Sequence, residues 1–200
     1  MESINIQINK IVEAMTIDNR GIFKRLTKLL EEHGELYEAY LSNDMNKTVE
    51  ESIDNLIVLI SLAYEVDKNC LNTLQLLINE SYDKGIADNN IMWKSDKTHL
   101  LMAYSVTTGA VADIFQKYEN VISSRYKGAA TADVTLASVC VAIQSLVYFI
   151  SFVSKDSTLI NSLMVNKTAK WLEKVSWSYN YFIFPFMVKC FLYFHNCLLF

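Results

Sequence analysis

Glycine and proline punctuate chain reversals, and this 200-residue chain holds only five glycines and one proline, Pro185. A sandwich or barrel needs a turn signal roughly every 8–12 residues. A chain this poor in turn formers is therefore expected to build long helices joined by few reversals. With 52% apolar and 20% charged residues it is neither disordered nor coiled-coil-like. Its length suits one compact domain or a fused pair of small ones. No glycine-rich phosphate loop is present to open a dinucleotide-binding domain. The net charge of −4 argues against a general nucleic-acid-binding surface.

Apolar residues recur at helical spacing from the first residues onward: Ile4, Ile8, Ile11, Val12 and Met15 mark a helix over 2–16. The same pattern predicts helices over 21–41, 48–66, 69–85, 97–119, 132–154 and 157–176. The Thr48 hydroxyl is read as the cap of the third, and Gly85 as the stop of the fourth. The expected fold class is all-α, a helical bundle. Helices two to four and five to seven look alike. A shift of 75 places Gly34 on Gly109 and Glu38 on Asp113. A shift of 90 places the Leu56–Ser61 run on Leu146–Ser151. The expected organisation is thus two related helical units, 1–95 and 96–178, followed by an apolar tail, 179–200.

Charge divides unevenly between the halves. Residues 1–100 hold 17 acids and 10 bases, net −7, and residues 101–200 hold 5 acids and 8 bases, net +3. Acid-dependent chemistry is expected in the first half. On the second helix Glu32 and Glu35 stand three residues apart, hence on one face, flanked by Glu31 and Glu38. On the third helix Glu51 and Asp54 repeat that spacing. Consecutive helices with short connections are antiparallel neighbours, so the two pairs can face each other. Four converging carboxylates would repel, and a hard divalent cation relieves the repulsion; all-oxygen ligation suits Mg2+ or Mn2+. Two plainer explanations stay open: Thr48 and Glu51 fit a capping box, and Glu31, Glu32 and Glu35 could form a solvated face pairing with Lys28. Cys70, Cys140, Cys190 and Cys197 form no CxxC pair, so neither a zinc site nor a disulfide framework is indicated. The N-terminal run lacks the apolar core of a signal peptide, and a cytoplasmic, reduced protein is expected.

Leu30-Glu31-Glu32-His33-Gly34-Glu35-Leu36 and Glu51-Ser52-Ile53-Asp54, with 15 residues between Glu35 and Glu51, resemble the ExxE…ExxD signature of the MazG-like all-α nucleotide pyrophosphohydrolases. That superfamily includes the dimeric dUTPases and the phosphoribosyl-ATP pyrophosphohydrolases. The resemblance covers residues 20–85. It implies hydrolysis of a nucleoside triphosphate to the monophosphate and pyrophosphate. It also implies Mg2+ held by Glu32, Glu35, Glu51 and Asp54, with Glu35 taking the proton of the attacking water. Glu31 and Glu38 are second-line acids. The second unit departs from the pattern, with Thr107, Ala110, Val141 and Gln144 at the four acid positions. It is expected to bind no metal and to serve as a built-in partner; a homodimer remains open.

Substrate contacts are harder to place. Asn79, Asp83 and Lys84 on the fourth helix and Lys94 beyond it are candidates, and Lys97 and Trp93 lie nearby. His33 is read as an edge residue rather than a base. No Glu-x-x-His motif occurs, which disfavours a ferritin-like di-iron site. Residues 180–200 approach the length of a membrane span, but Lys189 and Pro185 interrupt them. Three readings of the tail stay open: an apolar segment packed on the bundle or a partner, a non-native extension or, ranked below these, a membrane anchor. The rival to the enzyme is a non-catalytic helical interaction protein, with anchoring by that tail as an option.

Overall fold

The computed structural model describes residues 2–18, 20–91, 97–118 and 130–175. All secondary structure among them is helical: α1 (Glu2–Met15), α2 (Gly21–Leu41), α3 (Met45–Val66), α4 (Leu71–Ile91), α5 (Lys97–Tyr118), α6 (Ala132–Val153) and α7 (157–175). The chain is an all-α bundle. The tail after 175 and the segment holding Trp93 and Lys94 lie outside the described residues.

Two apolar helices, α3 and α6, pack on each other at the centre. The α2 helix lies on α3, α5 lies on α6, α4 lies across α6, and α1 covers α3 and α4. Both central helices are buried along most of their length, α3 from Thr48 to Tyr64 with few gaps. By length and composition alone α6 is apolar enough to cross a membrane. Half of that apolar window is buried, with α6 packed against α3, α4 and α5.

Several polar groups in this core are matched. Asn55 donates to the Glu51 carbonyl at 2.9 Å and accepts from the Tyr104 hydroxyl at 2.8 Å, joining α3 to α5. Arg25, buried on α2, pairs with Asp18 at 2.9 Å and with Glu65 at the end of α3 at 2.9 Å. Burial alone would raise the Asp18 pKa, but the Arg20 and Arg25 guanidiniums hold it below its ordinary value. A buried ion pair is kept only when both charges are satisfied. This one pins the start of α2 to the far end of α3, which fixes the two helices that carry the acids.

Two expected boundaries need correction. The α3 helix begins at Met45, not Thr48, because Asp44 is its cap and accepts from the Lys47 amide at 2.9 Å. The Thr48 hydroxyl instead donates to the Asp44 carbonyl at 2.7 Å, so no capping box involves Glu51. Gly85 does not stop α4, which runs on to Ile91. A Cβ at position 85 would lie 1.9 Å from Ser151 Oγ and 2.9 Å from Ser151 Cβ. Glycine is used here for close approach of α4 to α6. Glycine of the left-handed kind is found at Gly21 (φ +74°), where the chain turns into α2.

Candidate metal centre

The buried stripe of α2 runs Arg25, Leu29, Glu32, Leu36, Ala39. Glu32 therefore occupies a core-facing position that periodicity reserves for an apolar residue. Glu35, three residues on, is exposed at the rim of the same face. On α3 Glu51 is 6% exposed, and Glu32 is likewise 6% exposed. One carboxylate oxygen from each of Glu32, Glu35 and Glu51 can be chosen so that all lie within 4.8 Å of one another. Among the described residues no other group of acids, histidines or cysteines meets so closely.

Asp54 lines the same cavity but stands outside that triplet. Its carboxylate is hydrogen-bonded to Lys167 of α7, which also pairs with Glu50 at 2.8 Å. Lys28 plays a similar part on the other side, pairing with Glu31 at 2.8 Å and Glu32 at 2.6 Å. Burial dominates the electrostatics. It pushes the Glu51 carboxyl up to about 7, with Asp54, Glu35 and Glu32 adding to the rise and Lys167 opposing it. Burial raises Glu32 and Asp54 as well, against the pull of Lys28 and Lys167 respectively. Carboxylates whose ionised form is disfavoured by burial and by one another are what a bound cation would relieve.

The triplet opens into a cavity of about 330 Å³, within the range of small-molecule sites. Beside the acids, α7 contributes Lys167, Lys170, Trp171 and Lys174 to the lining, and Lys28 and Arg20 join them. The lysine spacing of i, i+3 and i+7 puts all three on one face of α7. Arg20 lies over the Trp171 ring at 5.8 Å. The cavity thus takes its acids from α2 and α3 and a basic wall from α7, with Lys28 of α2 standing among the acids.

Of the residues singled out in the sequence, Glu32, Glu35, Glu51 and Asp54 are brought to one cavity. Glu31 and Glu38 are exposed and do not line it. Asn79 donates to Asn5 of α1 at 3.2 Å, and Asp83 and Lys84 are exposed on α4; none of the three lines the cavity. Lys97 does not line it either. His33 is half-buried between the rings of Tyr37 and Tyr104, each 5.2 Å away, and burial lowers its pKa. Sequence reasoning missed the α7 wall. Its signal was the basic second half and the one-sided lysine spacing of 167, 170 and 174.

No family model matches the chain, and neither the curated proteins nor the solved structures compared with it give a match.

Proposed function

We propose that this protein is a magnesium-dependent nucleoside triphosphate pyrophosphohydrolase, splitting an NTP or dNTP into the monophosphate and pyrophosphate. The observation that carries the reading is one cavity lined both by Glu32, Glu35, Glu51 and Asp54 and by Lys167, Lys170 and Lys174. A purely acidic cluster suits a cation and a purely basic one suits an anion. Both together suit a polyphosphate that arrives with a divalent ion. The motif resemblance on Glu32, Glu35, Glu51 and Asp54 supports the same reaction class.

In this reading the four acids hold Mg2+, and Mn2+ would be accepted by the same oxygen donors. The ion supplies charge neutralisation on the phosphates and a lowered pKa for the attacking water. Glu35 is the most solvent-accessible of the triplet and is assigned the water's proton. Lys170 and Lys174 are assigned the outer phosphate oxygens. Trp171, half-buried in the wall, offers an apolar face to the nucleoside.

We further read α5–α7 as a second unit related to α2–α4, with no catalytic acids of its own. Several registers support it. Val49, Ile53, Leu56 and Leu59 are buried, and so are Val139, Ile143, Leu146 and Phe149, each 90 positions on. Leu74, Ile78 and Tyr82 on α4 are buried, and so are Ile160, Met164 and Thr168, each 86 positions on. At the four acid positions of that unit, Thr107 donates to the Tyr104 carbonyl, while Ala110, Val141 and Gln144 are exposed.

The rival, a non-catalytic interaction protein, draws on a different observation: Met102, Val106, Val134 and Val141 are exposed on α5 and α6. It leaves the convergence of buried glutamates without a purpose. Pyrophosphate release from a panel of NTPs and dNTPs, with Mg2+ and beside Glu35→Gln and Asp54→Asn, separates the two. The enzyme reading expects release from at least one nucleotide, abolished by both substitutions. No release from any of them, nor from phosphoribosyl-ATP, would leave the interaction reading.

A further inference from the structure

We propose that Lys167 is the resident counter-cation of the acid site. In the metal-free protein its ammonium occupies Asp54; when a divalent cation claims Asp54, that ammonium moves to the phosphate oxygens of the substrate. The inference rests on the metal-site reading above and deepens it.

Three observations lead there. First, Asp54 sits three residues from Glu51 on α3 and lines the same cavity, yet it is the one acid of the four missing from the close triplet. Second, the group that holds it is a lysine from a different helix, hydrogen-bonded to Asp54 and ion-paired to Glu50 at 2.8 Å. Third, Lys167 lines the cavity with a side chain only 13% exposed, against 40% for Lys28, which lines it too. Lys28 differs in kind: it reaches Glu32 from its own helix, and it keeps the exposed Glu31 as partner.

The chemistry follows from the charges. A lysine ammonium is a compact point charge on a flexible four-carbon stem. While it bridges Glu50 and Asp54, a divalent ion entering beside Glu51 meets a positive charge already at its fourth ligand. The two cations compete for one carboxylate. A polyphosphate changes the balance, because it brings acceptor oxygens to the side where Lys170 and Lys174 already lie. Once Asp54 turns to the metal, the Lys167 ammonium has phosphate as its next partner on that wall. Metal and phosphate would thus bind cooperatively, and the metal alone would bind less tightly than four carboxylates imply. Such a coupling is a free energy shared between two ligands, and it is typically worth about 5- to 150-fold in affinity.

A structural ion pair and a counter-cation make opposite predictions. We would titrate Mn2+ into the nucleotide-free protein, following free Mn2+ by electron paramagnetic resonance, and then titrate pyrophosphate into the Mg2+-loaded protein. Lys167→Met is expected to bind Mn2+ about tenfold more tightly and pyrophosphate about tenfold more weakly; Lys167→Arg should keep both values near the parent's. Unchanged or weaker Mn2+ binding by Lys167→Met overturns the proposal, as does unchanged pyrophosphate binding. A second measurement needs no variant. Acylation of Lys167 in the unmodified protein, read by mass spectrometry, should rise on adding Mn2+ and fall again on adding pyrophosphate. Reactivity indifferent to Mn2+ would equally overturn it. If the parent binds no Mn2+, or Glu35→Gln binds it as well as the parent, the metal-site reading fails and takes this inference with it. Tight Mn2+ binding that Lys167→Met leaves alone sinks only the inference.

Discussion

The contact of α4 with α6 and the contact of α7 with α3 differ at several comparable positions. Gly85 of α4 brings its backbone so close to Ser151 and Tyr148 of α6 that a methyl group would collide. In the proposed repeat, a register of 86 between α4 and α7 puts Trp171 where α4 has Gly85. The register of 90 puts Val58 and Ser61 where α6 has Tyr148 and Ser151. Trp171, Val58 and Ser61 do line one space together. The α4–α6 contact is sealed by the absence of a side chain. At the α7–α3 contact the corresponding position carries Trp171, the largest side chain, which also lines the cavity that holds the acids. Similar helix pairs can therefore make a core or a site, depending on what stands at the crossing and on whether the facing positions are carboxylates.

That contrast can be broken in several places. The largest effect is expected from Glu35→Gln. Turnover should fall on the order of a thousandfold, the scale of losing one principal charge-stabilising group. The melting temperature should be unchanged, because Glu35 is exposed; steady-state kinetics beside thermal melts would check both.

Gly85→Ala attacks the sealed contact. Alanine gains helix propensity of about 1 kcal/mol, but the collision with Ser151 forces α4 away from α6. Overpacking of this kind costs about 1–3 kcal/mol. A net loss in chemical denaturation is expected, with any remaining turnover retained per folded molecule. Trp171→Ala tests the other contact. We expect nucleotide KM to rise about tenfold, the scale of one lost aromatic contact, while Mn2+ affinity holds, since Trp171 carries no ligand atom.

A pH effect follows from Glu51. Its folded-state value is about 7 against an ordinary 4.5, because burial disfavours the anion. Between those values the folded protein holds a proton that the unfolded chain has released. Metal-free stability should therefore fall as pH rises across that window and level off above about 7. Melting curves with and without Mg2+ would check this, the ion being expected to flatten the trend by favouring the ionised form. The smallest effect belongs to Glu38→Gln. Glu38 is exposed and away from the cavity, so activity and stability should stay within about 0.5 kcal/mol of the parent.

How much of this could be read from the sequence depends on distance along the chain. The seven helices were legible because apolar residues at 3.6-residue spacing report burial locally. The acid pairs were legible because i, i+3 carboxylates on consecutive helices have few ways to avoid each other. Gly85 misled because glycine at a helix end and glycine at a close crossing look identical until the partner helix is known. The basic wall was hidden for a related reason: Lys167 and Asp54 are 113 residues apart. Nothing local to either announces the pair. The attention given to Asn79, Asp83 and Lys84 assumed that the helix next in sequence would cover the site. The arrangement instead sends α4 across α6, and α7 covers α3.

The most direct test of the account is product analysis in 18O-enriched water. Each NTP and dNTP would be incubated with the protein and Mg2+, and the phosphorus products resolved by 31P NMR. The account predicts pyrophosphate and a nucleoside monophosphate from a preferred nucleotide, with the 18O in the monophosphate. Orthophosphate with a nucleoside diphosphate, or intact nucleotide throughout, would contradict it.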